Sequence, residues 1–147
     1  MNTNTSTITT KYRFKHSTSL KLPLFLNAIP CGFPSPADDY VDRDLDLNEY
    51  IVRHPASTFF LKAQGKSMID ASINEEDILV VDKSLEAKHN DIVIASLNGE
   101  FTIKRLVKQD GKVSLLPCNS DFNPVTVRPD DDLVIWGVVT HIIHALQ

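Results

Sequence analysis

The chain has 147 residues, 42% of them apolar and 23% charged, with a net charge of −4. That length suits one domain, or one domain with an appended arm, and a chain of this size buries about 68–70% of its unfolded surface. No apolar run approaches the ~20 residues of a membrane-spanning helix, and the acidic balance excludes a broad basic surface for nucleic acid.

Charge is unevenly placed. Residues 1–31 carry Lys11, Arg13, Lys15 and Lys21 and no acid, a charge of +4, which leaves −8 on residues 32–147. The first ten residues are almost all Thr, Asn and Ser, too polar to order themselves by burial. An acid-free, Ser/Thr-rich basic start also suits an organellar transit peptide. Against that, Leu20, Leu22, Leu24 and Leu26 alternate as in an extended segment, and Pro23 opposes a helix. Residues 1–31 therefore read as a mobile arm with an adhesive apolar end, and residues 32–147 as the folded domain. From Cys31 to Asp39 the run CGFPSPADD is extended or turned, and such backbone can enter a protease cleft as a strand. Asp46 and Glu49 then fit an N-cap and a third-position acid, predicting a short helix to about Arg53 that Pro55 stops.

Beyond residue 56 the pattern turns to β. The expected strands are Thr58–Ala63, Ile78–Asp82, Asp91–Leu97, Glu100–Val107, Val113–Pro117, Val125–Val127 and Leu133–Ala145, the last bent at Gly137. Asn98-Gly99 and Asp110-Gly111 mark two tight hairpins, because both positions of such turns need positive φ. Short strands at this spacing predict a mainly β, barrel-like or sandwich-like antiparallel domain.

Gly65-Lys66-Ser67-Met68-Ile69-Asp70 follows a strand and precedes a single helical turn. Glycine beside serine permits a tight bend that exposes the hydroxyl and aims peptide N–H groups near it, as a nucleophile with an oxyanion site requires. A serine there is also an ordinary N-cap. Of the histidines, His16 lies in the arm, His54 ends a helix, His89 sits in a turn, and His141 and His144 belong to the final apolar segment. None falls in a Ser–His–Asp order with a flanking motif. A neutral lysine is the other way to activate serine. Lys104, in Phe101-Thr102-Ile103-Lys104-Arg105-Leu106, could lose hydration among apolar neighbours or point outward as a common strand lysine. Neutrality at pH 7 would require its pKa to fall by about 3.4, roughly 4.6 kcal/mol. Strand parity sets it on one face with Thr102 and Leu106. Cys31 and Cys118 are too few for a disulfide framework and lack zinc-ligand spacing. With no signal peptide they read as free thiols, Cys118 as a small buried hydrophobe. Nothing demands a metal or an organic cofactor.

In combination these segments are more specific. Cys31-Gly32-Phe33-Pro34-Ser35-Pro36, Gly65-x-Ser67-Met68-x-Asp70, Glu100-Phe101-Thr102-x-Lys104-Arg105-Leu106, Leu115-x-Pro117-x-Asn119-Ser120 and Trp136-Gly137-Val138-Val139 occur in this order. The chain resembles the UmuD family of the bacterial SOS response, and more widely the LexA-like self-cleaving serine peptidases, over residues 22–147. The resemblance implies a fold of short, strongly curved antiparallel strands, a scissile bond at Cys31–Gly32, Ser67 as nucleophile and Lys104 as general base. Cys31 is then a substrate residue. It further implies a cytoplasmic homodimer whose cleavage is stimulated by the RecA filament on single-stranded DNA. The shortened dimer would join a UmuC-like Y-family polymerase, with no sequence-specific DNA binding and no membrane. Lys66, directly before the nucleophile, is expected to face solvent, and the polar stretch 1–19 has no assigned role. The alternatives are a LexA-like self-cleaving transcriptional regulator, a peptidase acting on other proteins, and a non-catalytic polymerase-binding module. A helix-turn-helix would need about three helices ahead of the cleavage site.

Overall fold

The computed structural model describes residues 10–13, 19–25 and 41–147, so the Cys31–Gly32 bond and the proposed arm boundary lie outside the described residues. In chain order the strands are β1 (Thr10–Arg13), β2 (Lys21–Phe25), β3 (Val41–Asp46), β4 (Thr58–Lys62), β5 (Ile78–Asp82), β6 (Ile92–Leu97), β7 (Glu100–Gln109), β8 (Lys112–Leu116), β9 (Val125–Thr126) and β10 (Leu133–Ile143). Among the described residues one α-helix, α1, spans Leu47–Ile51. The chain divides into two compact units, one of Met1–Phe14 with His54–Gln147 and the other of Lys15–Arg53.

The smaller unit holds the β2–β3 ribbon and α1. Its apolar alternation appears as the strand Lys21–Phe25, and Pro23 is tolerated because each strand of a two-stranded ribbon is an edge. The partner β3, VDRDLD, is half acidic and carries little strand signal of its own. Asp46 caps α1, its carboxylate accepting from the Asn48 N–H at 2.9 Å. The helix ends at Ile51, before Pro55, which instead opens a 3-10 turn.

The larger unit is an antiparallel sheet in the order β1-β4-β5-β10-β6-β7-β8-β9. All seven expected strands form, Ile78–Asp82 with the expected ends and the others with an end shifted by at most two residues, and β1 joins the edge through four residues paired with β4. Both tight hairpins occur, with positive φ at Asn98 and Gly99 and again at Asp110 and Gly111. The sheet is single rather than two facing sheets, because the last strand, β10, enters between β5 and β6 and joins the two halves. It buries both faces. On β6, Ile94 packs with Phe59, Leu61, Met68, Ile73, Leu79, Val81 and Ile103, while its neighbours Val93 and Ala95 pack with Leu106, Leu115 and Val138 on the opposite face.

The expected bend at Gly137 is a register shift in the β10–β6 ladder. A Cβ at this position would lie 2.6 Å from Val81 Cγ1 and 3.1 Å from the Asp82 carbonyl oxygen, so only glycine allows β5 to approach this closely.

Candidate active site

The nucleophile segment is the loop from β4 to β5. Its neck is closed by the Ala63 N–H to the Asp77 carbonyl at 2.8 Å and the Glu76 N–H to the Ala63 carbonyl at 2.9 Å. Gly65 has φ +88, a left-handed conformation costly for any residue with a Cβ, and it turns the chain so that Ser67 and Met68 point inward. A 3-10 turn, Ile69–Ala71, follows, and the Ala71 and Ile73 N–H groups donate to the Met68 carbonyl at 3.0 and 3.3 Å. Met68 and Ile73 anchor this turn in the core, 1% and 3% exposed. The loop after β8 grips it from outside. The Asp70 N–H donates to the Cys118 carbonyl at 2.7 Å, and Asn119 Nδ2 to the Lys66 carbonyl at 2.8 Å.

Ser67 is fully buried, and Lys104 on β7 is 3% exposed. Lys104 stands opposite Val93 in the β6–β7 ladder, on the strand face it shares with Thr102 and Leu106. Its Nζ lies 3.2 Å from Ser67 Oγ, 2.8 Å from Thr102 Oγ1 and 3.0 Å from the Ile103 carbonyl oxygen. None of these three partners is a carboxylate. Burial therefore lowers the Lys104 pKa from its ordinary 10.5 to about 8, with the Cys118 sulfur acting weakly in the other direction. Two residues 37 positions apart in sequence thus meet in a water-poor site.

The remaining residues singled out from the sequence fall elsewhere in the fold. Cys31 and Gly32 lie outside the described residues. Lys66 is exposed, as expected of a residue whose neighbour turns inward. Cys118 is a free thiol, half-buried rather than fully buried, packed against the Met68 side of the core. His54 pairs with Asp82 and His144 with Asp77, both through Nδ1 at 2.5 Å, while His89 Nδ1 accepts from the Lys108 N–H and His141 Nδ1 contacts Thr140 Oγ1. Sequence reasoning gave no role to Thr102 or Asn119. Parity pointed to the first, and the second stood inside a quoted motif.

Beside the nucleophile loop lies an open depression of about 250 Å³, lined by Gly65, Lys66, Ile69, Ile73, Asn74 and Glu75. It is smaller than the typical ligand pocket of about 300–1,000 Å³ and has room for a side chain. Among the described residues no cluster of His, Cys, Asp and Glu could hold a metal ion, and no helix is long and apolar enough to cross a membrane.

Comparison with known proteins places the chain in a family. The peptidase S24-like family matches residues 23–140. Protein MucA of Salmonella typhimurium is 49% identical over 121 residues, 82% of each chain. Protein ImpA of Escherichia coli is 47% identical over 122 residues, 83% of each chain. The LexA repressor of Bordetella avium is 38% identical over 130 residues, 87% of this chain and 60% of the repressor. The chain belongs to the peptidase S24-like family of serine peptidases, in the UmuD group associated with SOS mutagenesis.

Proposed function

We propose that the chain cleaves its own Cys31–Gly32 bond, with Ser67 as nucleophile and Lys104 as general base. Cleavage separates residues 1–31 from a dimerising domain of residues 32–147. The RecA filament on single-stranded DNA stimulates the cut, and the shortened homodimer serves a UmuC-like Y-family translesion polymerase as accessory subunit. The observation that carries this reading is Lys104 Nζ held 3.2 Å from Ser67 Oγ in a buried pocket, with no carboxylate partner among the described residues.

The amine's hydrogen-bond inventory supports it. Neutral lysine has two N–H bonds and one lone pair. The Thr102 hydroxyl and the Ile103 carbonyl accept the two N–H bonds, at 2.8 and 3.0 Å, which leaves the lone pair for the Ser67 hydroxyl proton. Ser67 Oγ, losing that proton to Lys104, attacks the Cys31 carbonyl carbon. The tetrahedral oxyanion collapses with loss of the C–N bond, and the Lys104 ammonium returns the proton to the Gly32 nitrogen. Water, losing a proton to Lys104, then attacks the ester carbonyl; the bond to Ser67 Oγ breaks, Oγ regains the proton from the Lys104 ammonium, and the Cys31 carboxylic acid so formed ionises to solvent.

A pKa of about 8 leaves about a tenth of the amine neutral at pH 7 and most of it neutral at pH 9. The cleavage rate accordingly rises about tenfold between pH 7 and its alkaline plateau. Intact mass followed over time, with and without RecA–single-stranded DNA filament, yields fragments ending at Cys31 and starting at Gly32. Ser67→Ala and Lys104→Ala give none. A wild-type chain uncut under every condition overturns self-cleavage and leaves a β-rich binding module. Pull-down of a Y-family polymerase with cut and uncut chains tests the partner.

A further inference from the structure

We infer that Asn119 is a positioning residue for self-cleavage. Its side-chain amide holds the Lys66–Ser67 peptide so that the Ser67 N–H faces the oxyanion formed at the scissile carbonyl. This rests on the Ser67–Lys104 reading above.

A planar trans peptide directs its C=O and its N–H to opposite sides, so whatever fixes the Lys66 carbonyl also fixes the direction of the Ser67 amide. Two donors reach that oxygen. The loop's own Ile69 N–H does so at 3.3 Å, a long contact, and Asn119 Nδ2 at 2.8 Å is the closer one. The Lys66 side chain is exposed, so its main chain is the part of this residue engaged at the site.

Asn119 is itself held. Its Oδ1 accepts from the Asp121 N–H at 3.0 Å, and its carbonyl from the Phe122 N–H at 3.1 Å. A main-chain N–H only donates and a carbonyl only accepts, so the Asn119 amide has one orientation compatible with both partners. Its neighbour Cys118 accepts from the Asp70 N–H at 2.7 Å, so the loop after β8 braces the nucleophile turn on either side of Ser67.

The brace has something to resist. Gly65, with φ +88, is the pivot one residue before the held peptide, and glycine turns there at little cost. An oxyanion donor acts only when placed about 2.7–3.1 Å from the developing charge, and an error of about 1 Å can lower a rate about 100-fold.

The test is the pH profile of self-cleavage in full-length chain, for wild type, Ser67→Ala, Asn119→Leu and Asn119→Ala. Leu matches the shape of Asn without a donor, and Ala removes the side chain, so the two variants do not depend on one packing outcome. Neither adds charge. The plateau rate is expected to fall about 10- to 100-fold in both, with the midpoint of the profile unmoved, because Lys104 keeps its surroundings. A general collapse of the loop would instead rehydrate the amine and carry the midpoint upward. A plateau equal to wild type overturns the inference, and so does a midpoint that rises toward the ordinary lysine value. A wild-type chain that never cuts refutes the Ser67–Lys104 reading itself, whereas a wild type that cuts beside unaffected Asn119 variants refutes only the positioning role.

Discussion

Two polar clusters on the same sheet show opposite ways to bury an ionisable group. Lys104 sits on β7 with two hydroxyls and a carbonyl around its amine, none of these partners a carboxylate. Asp82, at the end of β5, is comparably buried but accepts from the Ser84 N–H and hydroxyl at 2.8 and 2.6 Å, from the Ser57 hydroxyl at 3.1 Å and from His54. Burial alone would raise the Asp82 pKa, but the bonds from Ser84, His54 and Ser57 outweigh it and hold the carboxyl below its ordinary value. At Lys104 the Cys118 sulfur offsets burial only in part, so the charged form is the one disfavoured. The Asp82 cluster contains Ser, His and Asp yet lacks triad geometry, because both serine hydroxyls bond the carboxylate rather than the imidazole. Residue types do not make a catalytic base; an uncompensated proton acceptor does.

The largest expected effect comes from giving Lys104 what Asp82 has. Thr102→Asp places a carboxylate where the Thr102 hydroxyl now sits, 2.8 Å from the amine. An opposite charge this close raises a lysine pKa by about 1–3, so cleavage at pH 7 falls about 10- to 1,000-fold and the profile moves to higher pH. An unmoved profile would show that the amine's surroundings do not set the reaction's pH dependence.

The same contrast governs stability. Folded Lys104 titrates at about 8, against an ordinary 10.5, so between these values the unfolded chain binds more protons and stability rises with pH. Below pH 8 the whole penalty, about 3 kcal/mol, is present, and above 10.5 it is gone. Lys104→Met lacks this titration. The wild-type chain therefore gains up to about 3 kcal/mol relative to Lys104→Met between neutral and strongly alkaline pH, which denaturant unfolding at each pH measures. A constant difference between the two chains would mean that Lys104 is hydrated after all.

How much of this was legible follows from where each signal resides. Hairpins at Asn98-Gly99 and Asp110-Gly111 are written in local chemistry, and so are the alternations that gave seven strands of the sheet. The four-residue β1, TKYR, carries no apolar alternation and is a strand only because β4 offers it an edge, which no local pattern reveals. The place of β10 between β5 and β6 is likewise a tertiary choice. For the site, residue order and the family resemblance named Ser67 and Lys104, but periodicity alone left Lys104 undecided between core and solvent. Its burial is resolved by the β4–β5 loop closing over it, a contact 37 residues away in sequence. Thr102 lies two residues from Lys104 on the same strand face, so parity placed it beside the amine, whereas Asn119 acts through one hydrogen bond to a residue 53 positions away, which leaves no periodic trace.

The smallest effect is the converse substitution. Asp82→Asn keeps the volume but swaps one acceptor oxygen for a donor facing hydroxyls, an N–H and an imidazole already placed to donate. Breaking such a buried network costs about 1–3 kcal/mol. A carboxyl whose pKa is depressed in the fold stabilises above its ordinary value of 3.8 and loses that contribution as pH falls through the folded value. Wild type should therefore shed stability in acid that Asp82→Asn never had, and the two unfolding curves should converge there. Self-cleavage of Asp82→Asn at pH 8 should match wild type, because the carboxylate belongs to the rim of the sheet and not to the amine's pocket. A loss of cleavage with stability intact would instead make the Asp82 cluster part of the reaction and end the contrast between the two sites.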